Sequence, residues 1–197
     1  MSGRWQQRTS LKVSQTELTR YVSMALLLFA MGATAVILRT WLRIPLNIPG
    51  RQGILVMMFF MTGRALSPYP AGGIYTAAGA SLMLLFPGIG PKDPWIPLIY
   101  MGMGIMTDIL ITRGNQRKIN RYLLFSLTGG IVYMMIPLSR ICISMLTEFH
   151  YSEFTKHGFL LPIISHFIFG MIGSMLGSGP VIAYRKKLNK NETQDNS

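Results

Sequence analysis

The sequence predicts an all-α membrane protein, a compact bundle of about six transmembrane helices. Three observations predict it. Half of the 197 residues are hydrophobic and only 13% are charged, about half the quarter usual in a soluble domain. Apolar runs recur along the chain, several of them near the ~20 residues that a helix needs to cross the hydrocarbon core. Lys+Arg (19) outnumber Asp+Glu (7), and the basic residues stand at the edges of the apolar runs rather than along one polar face. The length fits one domain, or at most two small ones.

The first span is 21–38 (YVSMALLLFAMGATAVIL), bounded by Arg20 and Arg39. It follows a polar tail, 1–20, is longer than the core of a signal peptide, and ends without a small-residue cleavage pattern, so it reads as a retained helix. A second, shorter run is 53–63 and a third, rich in small residues, is 66–86. Arg64 and the Pro68–Pro70 stretch separate them closely; they count as two of the six spans, with one broken or re-entrant element as the alternative. The fourth, fifth and sixth spans are 95–112, 122–147 and 159–184. The chain closes with a basic segment from 185 and, after Lys190, a polar stretch that reads as disordered.

Orientation follows from Lys and Arg in the short loops. With six spans, both tails and the 2–3 and 4–5 connections share one side and hold 13 basic residues; the opposite side holds Arg39, Arg43, Arg51, Lys92 and Lys156. Both termini are therefore expected in the cytoplasm of a cell whose inner or plasma membrane carries the protein. Attraction of the tails to anionic membrane lipid accounts for their charge, at roughly 1 kcal/mol per residue near the surface. Nucleic acid is not an expected partner, because no tail interleaves aromatic rings with its cations. The loop 39–52 breaks the charge rule with three arginines and no acid, which suits binding of an anion.

Catalysis is not expected. HExxH is absent, and the spans hold no paired carboxylates within one helical turn. Gly177-Ser178-Gly179 has the wrong spacing for a nucleophile motif, and His150, His157 and His166 share no ligand spacing on a helix face. The lone Cys142 excludes a disulfide framework and a Cys-based zinc site. The 15 Met are dispersed as packing residues. No cofactor or metal is expected to be bound by this chain.

Ionisable residues inside a bilayer are costly and mark candidate sites. Arg140 lies about 18 residues into the fifth span, on a face shared with Tyr133, Pro137 and Ser144. His166 lies at similar depth in the sixth, with Pro162 one turn above. Asp108, near the cytoplasmic end of the fourth span, is expected to cap a helix end or to pair with Arg113 or Arg117. In the sixth span Gly170, Gly173, Ser174, Gly177 and Ser178 form overlapping small-xxx-small repeats, which permit close helix approach either inside the bundle or to a partner.

Six short spans in under 200 residues, cytoplasmic termini and a Pro-rich first outer loop (RIPLNIPG, 43–50) resemble the S components, the substrate-binding membrane subunits of energy-coupling-factor vitamin transporters. The stretch IPLNIPGRQGILVMMFF, the GR at 63–64 and the small-residue third span look most like the biotin-type members. The resemblance implies capture of a small, anionic vitamin or micronutrient at the outer face. It also implies partnership with a coupling transmembrane subunit and two ATPase subunits, which alone use ATP. Arg140 and Arg51 would then engage a carboxylate, Tyr133, Trp95 and His166 would supply rings, and Asn47 would close the lid. The family's Ala-x-x-x-Ala docking pattern is most nearly matched by Ala30 and Thr34; Gly173 and Gly177 are further docking candidates. The alternative reading is a non-catalytic membrane anchor or assembly subunit of a larger membrane complex.

Overall fold

The computed structural model describes residues 3–195 except 43, 44, 46, 47, 90–92, 118, 148, 150, 152, 153 and 155–157, with the side chains of 3–14, 190 and 192–195 also outside the description. The expected positions Asn47, His150 and His157 lie outside the described residues. Six helices of substantial length follow one another among the described residues: α1 (Gly3–Trp41), α2 (Gly53–Leu66), α3 (Gly72–Leu84), α4 (Ile96–Gln116), α5 (Arg121–Leu146) and α6 (Leu160–Asp195). Four stretches are long and apolar enough to cross a membrane, namely Gln15–Trp41, Ile96–Gln116, Arg121–Leu146 and Leu160–Asn189. The protein is thus a multi-pass helical membrane protein by length and composition. The second and third expected spans resolve into two separate helices of 14 and 13 residues, each about 20 Å long.

Local sequence sets the breaks. Pro68 and Pro70 cannot continue α2, whose end is closed by the Ser67 N–H donating to Gly63 O at 3.0 Å. Asn120 caps α5, its Oδ1 accepting from Tyr122 N at 3.0 Å. Asp93 makes a side-chain turn just ahead of α4, accepting from Trp95 N at 3.1 Å. At the far end α6 runs on through residues 185–195 (RKKLNKNETQD), which hold no glycine or proline to stop it.

The helices alternate in direction. Ser126 of α5 meets Met171 of α6 while Tyr133 meets His166, so these two run antiparallel; α2 and α6 run parallel, Gly173 lying on Ile54 and Gly177 on Met58. One end of the bundle, here the connector end, therefore carries residues 42–52, 85–95 and 147–159. The tail end carries residues 67–71, 117, 119 and 120, with the start of α1 and the end of α6.

The short helix α2 lies at the centre, packed against α1, α3, α5 and α6. Val56, Met57, Phe60 and Met61 are fully buried in the apolar core, together with Tyr100, Met103 and Val132. The outer surface is the reverse of a soluble protein's: Leu26, Leu98, Ile105, Leu123, Ile131, Ile164 and Ile172 are exposed, whereas Arg64, Asp93, Asp108, Arg140 and His166 are buried. Apolar side chains outside and paired polar ones inside are what hydrocarbon demands of a bundle.

Glycine permits the closest contacts. A Cβ at Gly177 would lie 2.1 Å from Met58 O and one at Gly173 2.5 Å from Ile54 O. Both contacts are with backbone, which cannot swing aside. These two glycines therefore seat α6 against α2 inside the chain, which corrects their candidacy for docking a partner. Ala30 and Thr34 are exposed on α1, with Thr34 Oγ1 donating to Ala30 O at 2.8 Å.

Candidate functional site

Three polar groupings converge on the connector end, where α1 and α5 finish and α2, α4 and α6 begin. The first is built on Arg39, in the last turn of α1. Its Nε donates to Gln52 Oε1 at 2.8 Å and its Nη1 to Tyr100 Oη at 2.7 Å. Tyr100 is fully buried and meets Phe60 edge-on, ring centroids 5.9 Å apart. The Arg39 guanidinium thus ties the first connector to the interior of α4.

The second grouping holds Arg140. Its Nε donates to Asp93 Oδ2 at 3.2 Å, with both side chains about nine-tenths buried. Tyr151, in the last connector, donates its hydroxyl to Asp93 Oδ1 at 3.3 Å, and the Arg140 Cζ lies 5.2 Å from the Tyr151 ring centroid. Burial, and after it the Asp93 charge, raises the Tyr151 phenol above its ordinary value. Arg140 is therefore already charge-balanced within the chain, and a carboxylate reaching it competes with Asp93.

In the third grouping the Tyr133 and His166 rings stack with centroids 4.9 Å apart. His166 Nδ1 is 2.7 Å from Pro162 O; a carbonyl can only accept, so Nδ1 carries the hydrogen. The first connector lies directly on these rings. Gly50 has φ +80°, and a Cβ there would meet His166 Nδ1 at 2.6 Å; a Cβ at Gly53 would meet the Tyr133 ring at 2.1 Å. Left-handed backbone and ring contact together require glycine at position 50.

Of the expected binding residues, Arg140, Tyr133 and His166 lie in this end of the bundle and are buried. Arg51 sits half-buried in the turn between Gly50 and Gly53. Trp95 is 39% exposed at the head of α4 and contributes its backbone N–H to Asp93. The sequence reading missed Arg39, Tyr100 and Asp93 as members. Arg39 carried a signal, as a cation in the one outer loop that broke the charge rule. Tyr100 carried none, being one aromatic residue in an apolar run.

A separate ion pair ties the tail end together. Asp108 pairs with Arg64, Nε to Oδ1 2.9 Å, rather than with Arg113 or Arg117. The reason is that Asp108 is also committed to α3, accepting from Gly73 N at 2.8 Å and Ile74 N at 2.9 Å. One carboxylate from α4 thereby caps the start of α3 and balances the last turn of α2. Among the described residues no group of three or more His, Cys, Asp or Glu is placed to hold a metal ion.

No family model, no curated protein and no solved structure matches the chain.

Proposed function

We propose that the chain is the substrate-binding subunit, the S component, of an energy-coupling-factor-type importer, capturing a small anionic vitamin or micronutrient at the connector end. The observation that carries this reading is the convergence there of two guanidiniums, half-buried Arg39 and buried Arg140, with the rings of Tyr100, Tyr133 and His166, beneath a glycine turn. Such a set recognises an anionic, partly planar molecule, the cations by charge-assisted hydrogen bonds and the rings by stacking. Ionisable groups placed this way in a membrane bundle belong to a ligand path by default.

In this reading all six helices span, α2 and α3 completing their crossings with the connections that flank them. The connector end faces outward, and both termini lie in the cytoplasm of the cell membrane. The exposed Ala30–Thr34 face of α1 meets the coupling transmembrane subunit, and two ATPase subunits supply the energy from ATP. The anchor alternative drew on the glycine stripe of α6, but Gly173 and Gly177 are occupied by α2, which favours the binding subunit.

The test is native mass spectrometry of the chain gently extracted from its own membrane. A retained mass of a few hundred daltons, or a complex with one large membrane subunit and two ATPases, is expected. A stable complex with unrelated membrane or redox subunits, and no such ligand, would overturn the proposal.

A further inference from the structure

The tail end carries a second feature that the importer reading does not use. A cleft of about 330 Å³ opens between the ends of α2 and α4 and the facing parts of α5 and α6, lined by Arg64, Arg121 and Arg185 among others. An adjoining cleft of about 350 Å³ shares Arg121 and Arg185 and adds Lys186. No acidic side chain lines either one among the described residues. Four cations therefore border these two adjoining clefts, and among the described residues only Arg64 of the four has a carboxylate, Asp108, against it.

The arrangement of these cations suits a shared anion. Arg64 is about nine-tenths buried, and its one carboxylate, Asp108, 2.9 Å from its Nε, is shared with the backbone N–H groups of Gly73 and Ile74. The Arg185 charge acts against that of Arg64, and one Arg185 nitrogen, Nη2, donates to Leu66 O at 2.8 Å at the end of α2. Arg121 makes no ion pair among the described residues. A buried cation whose only carboxylate is shared with two backbone donors, beside two exposed cations of like charge, is stabilised by an anion held between them.

We infer that this recess is a binding site for a phosphate or phosphodiester group, and that its occupant is the headgroup of an anionic lipid. Arginine fits the tetrahedral anion through forked, charge-assisted contacts. The surroundings favour a lipid over a free ion. Leu123 and Leu127 of α5 and Tyr184 of α6 are exposed just beside the recess, so acyl chains would run along apolar helix while Tyr122, on the rim, sits at headgroup level. Basic recesses between helices at a cytoplasmic surface hold such headgroups. The site would join the ends of α2, α5 and α6 and so brace the bundle opposite the substrate end.

The full chain in a neutral detergent is titrated with phosphatidylglycerol, with phosphatidylcholine and with inorganic phosphate. Binding is followed by native mass spectrometry and by the thermal midpoint. Phosphatidylglycerol is expected to bind tightest and to raise the midpoint. Arg121→Gln/Arg185→Gln should weaken it about tenfold or more, while Arg113→Gln/Arg117→Gln, equal in charge but outside the recess, should change it by less than about threefold. Arg121→Gln alone breaks no contact seen among the described residues and should weaken binding by an intermediate factor without loss of fold. Stabilisation by inorganic phosphate that displaces the lipid would keep the site and make its occupant a free anion. Equal losses in the two double variants, or equal binding of the two lipids, would overturn the inference, since attraction would then be spread over the whole basic surface.

Discussion

The charge balance at Arg140 gives a quantitative prediction. Arg140→Met keeps most of the apolar stem and removes the cation. Asp93, 8% exposed, then keeps the Tyr151 hydroxyl at 3.3 Å and the Trp95 N–H at 3.1 Å but loses the guanidinium at 3.2 Å. Removing one member of a buried pair costs about 3–5 kcal/mol, and the two remaining hydrogen bonds place this case near 3 kcal/mol. Asp93→Asn strands Arg140 instead, with its contact over the Tyr151 ring retained, at a similar cost. The double variant leaves no buried charge and should cost no more than either single change, so that the coupling is about 3 kcal/mol or greater. Against a total of about 5–15 kcal/mol, each variant still folds. Denaturant titration of the purified chain in mixed micelles measures these values, with Trp95, two residues from Asp93, as a local fluorescence probe. Additivity within about 0.5 kcal/mol would refute the pairing.

Further outcomes follow from the same geometry. Asp108→Leu leaves two backbone N–H groups of α3 and the Arg64 guanidinium without their acceptor, and should cost about 4 kcal/mol or more; Asp108→Asn should recover part of this by still accepting from Gly73 or Ile74. Gly177→Leu drives a side chain into Met58 O and should abolish the folded bundle, read as loss of the monodisperse peak after extraction, whereas Gly179→Ala, where a Cβ meets nothing, should not. The Tyr151 phenol is raised above its ordinary 10.0. Its hydrogen bond to Asp93 is therefore fully present below about pH 10 and is lost as pH rises through the folded-state value. The stability difference between wild type and Tyr151→Phe should accordingly be constant from neutral pH to about pH 10 and shrink above it; a difference that grew with pH would contradict this assignment.

How much of this was legible in the sequence depended on what kind of contact was involved. Helix positions were legible because the bilayer demands long apolar runs, and 95–112, 122–147 and 159–184 fall on α4, α5 and α6. The 53–86 region stayed open because 14- and 13-residue helices carry too little length to separate a span from a broken element; Pro68 and Pro70 were the evidence for the break, and α2 and α3 are what they separate. Arg140, Tyr133 and His166 stood out as polar groups in apolar runs. Their partners did not, because Asp93 lies 47 residues from Arg140 and in a connector, where an acid is unremarkable. Arg64 was read as a marker of sidedness, yet it is buried against Asp108, 44 positions on in sequence and on another helix. Nothing local distinguishes a glycine that seats a neighbouring helix from one that awaits a partner, and only the parallel packing of α2 and α6 decided it for Gly173 and Gly177.

The central claim is that the connector end of this bundle binds a small anion. The most direct measurement is rebinding of the compound retained through extraction, once identified by mass, to ligand-stripped chain, comparing wild type with Arg39→Met and with Arg113→Gln. Arg39→Met should weaken binding by about tenfold or more, the loss of a charge-assisted contact, and Arg113→Gln at the tail end should leave it unchanged. Equal affinity in wild type and Arg39→Met, with Arg140→Met/Asp93→Asn also binding normally, would contradict the account.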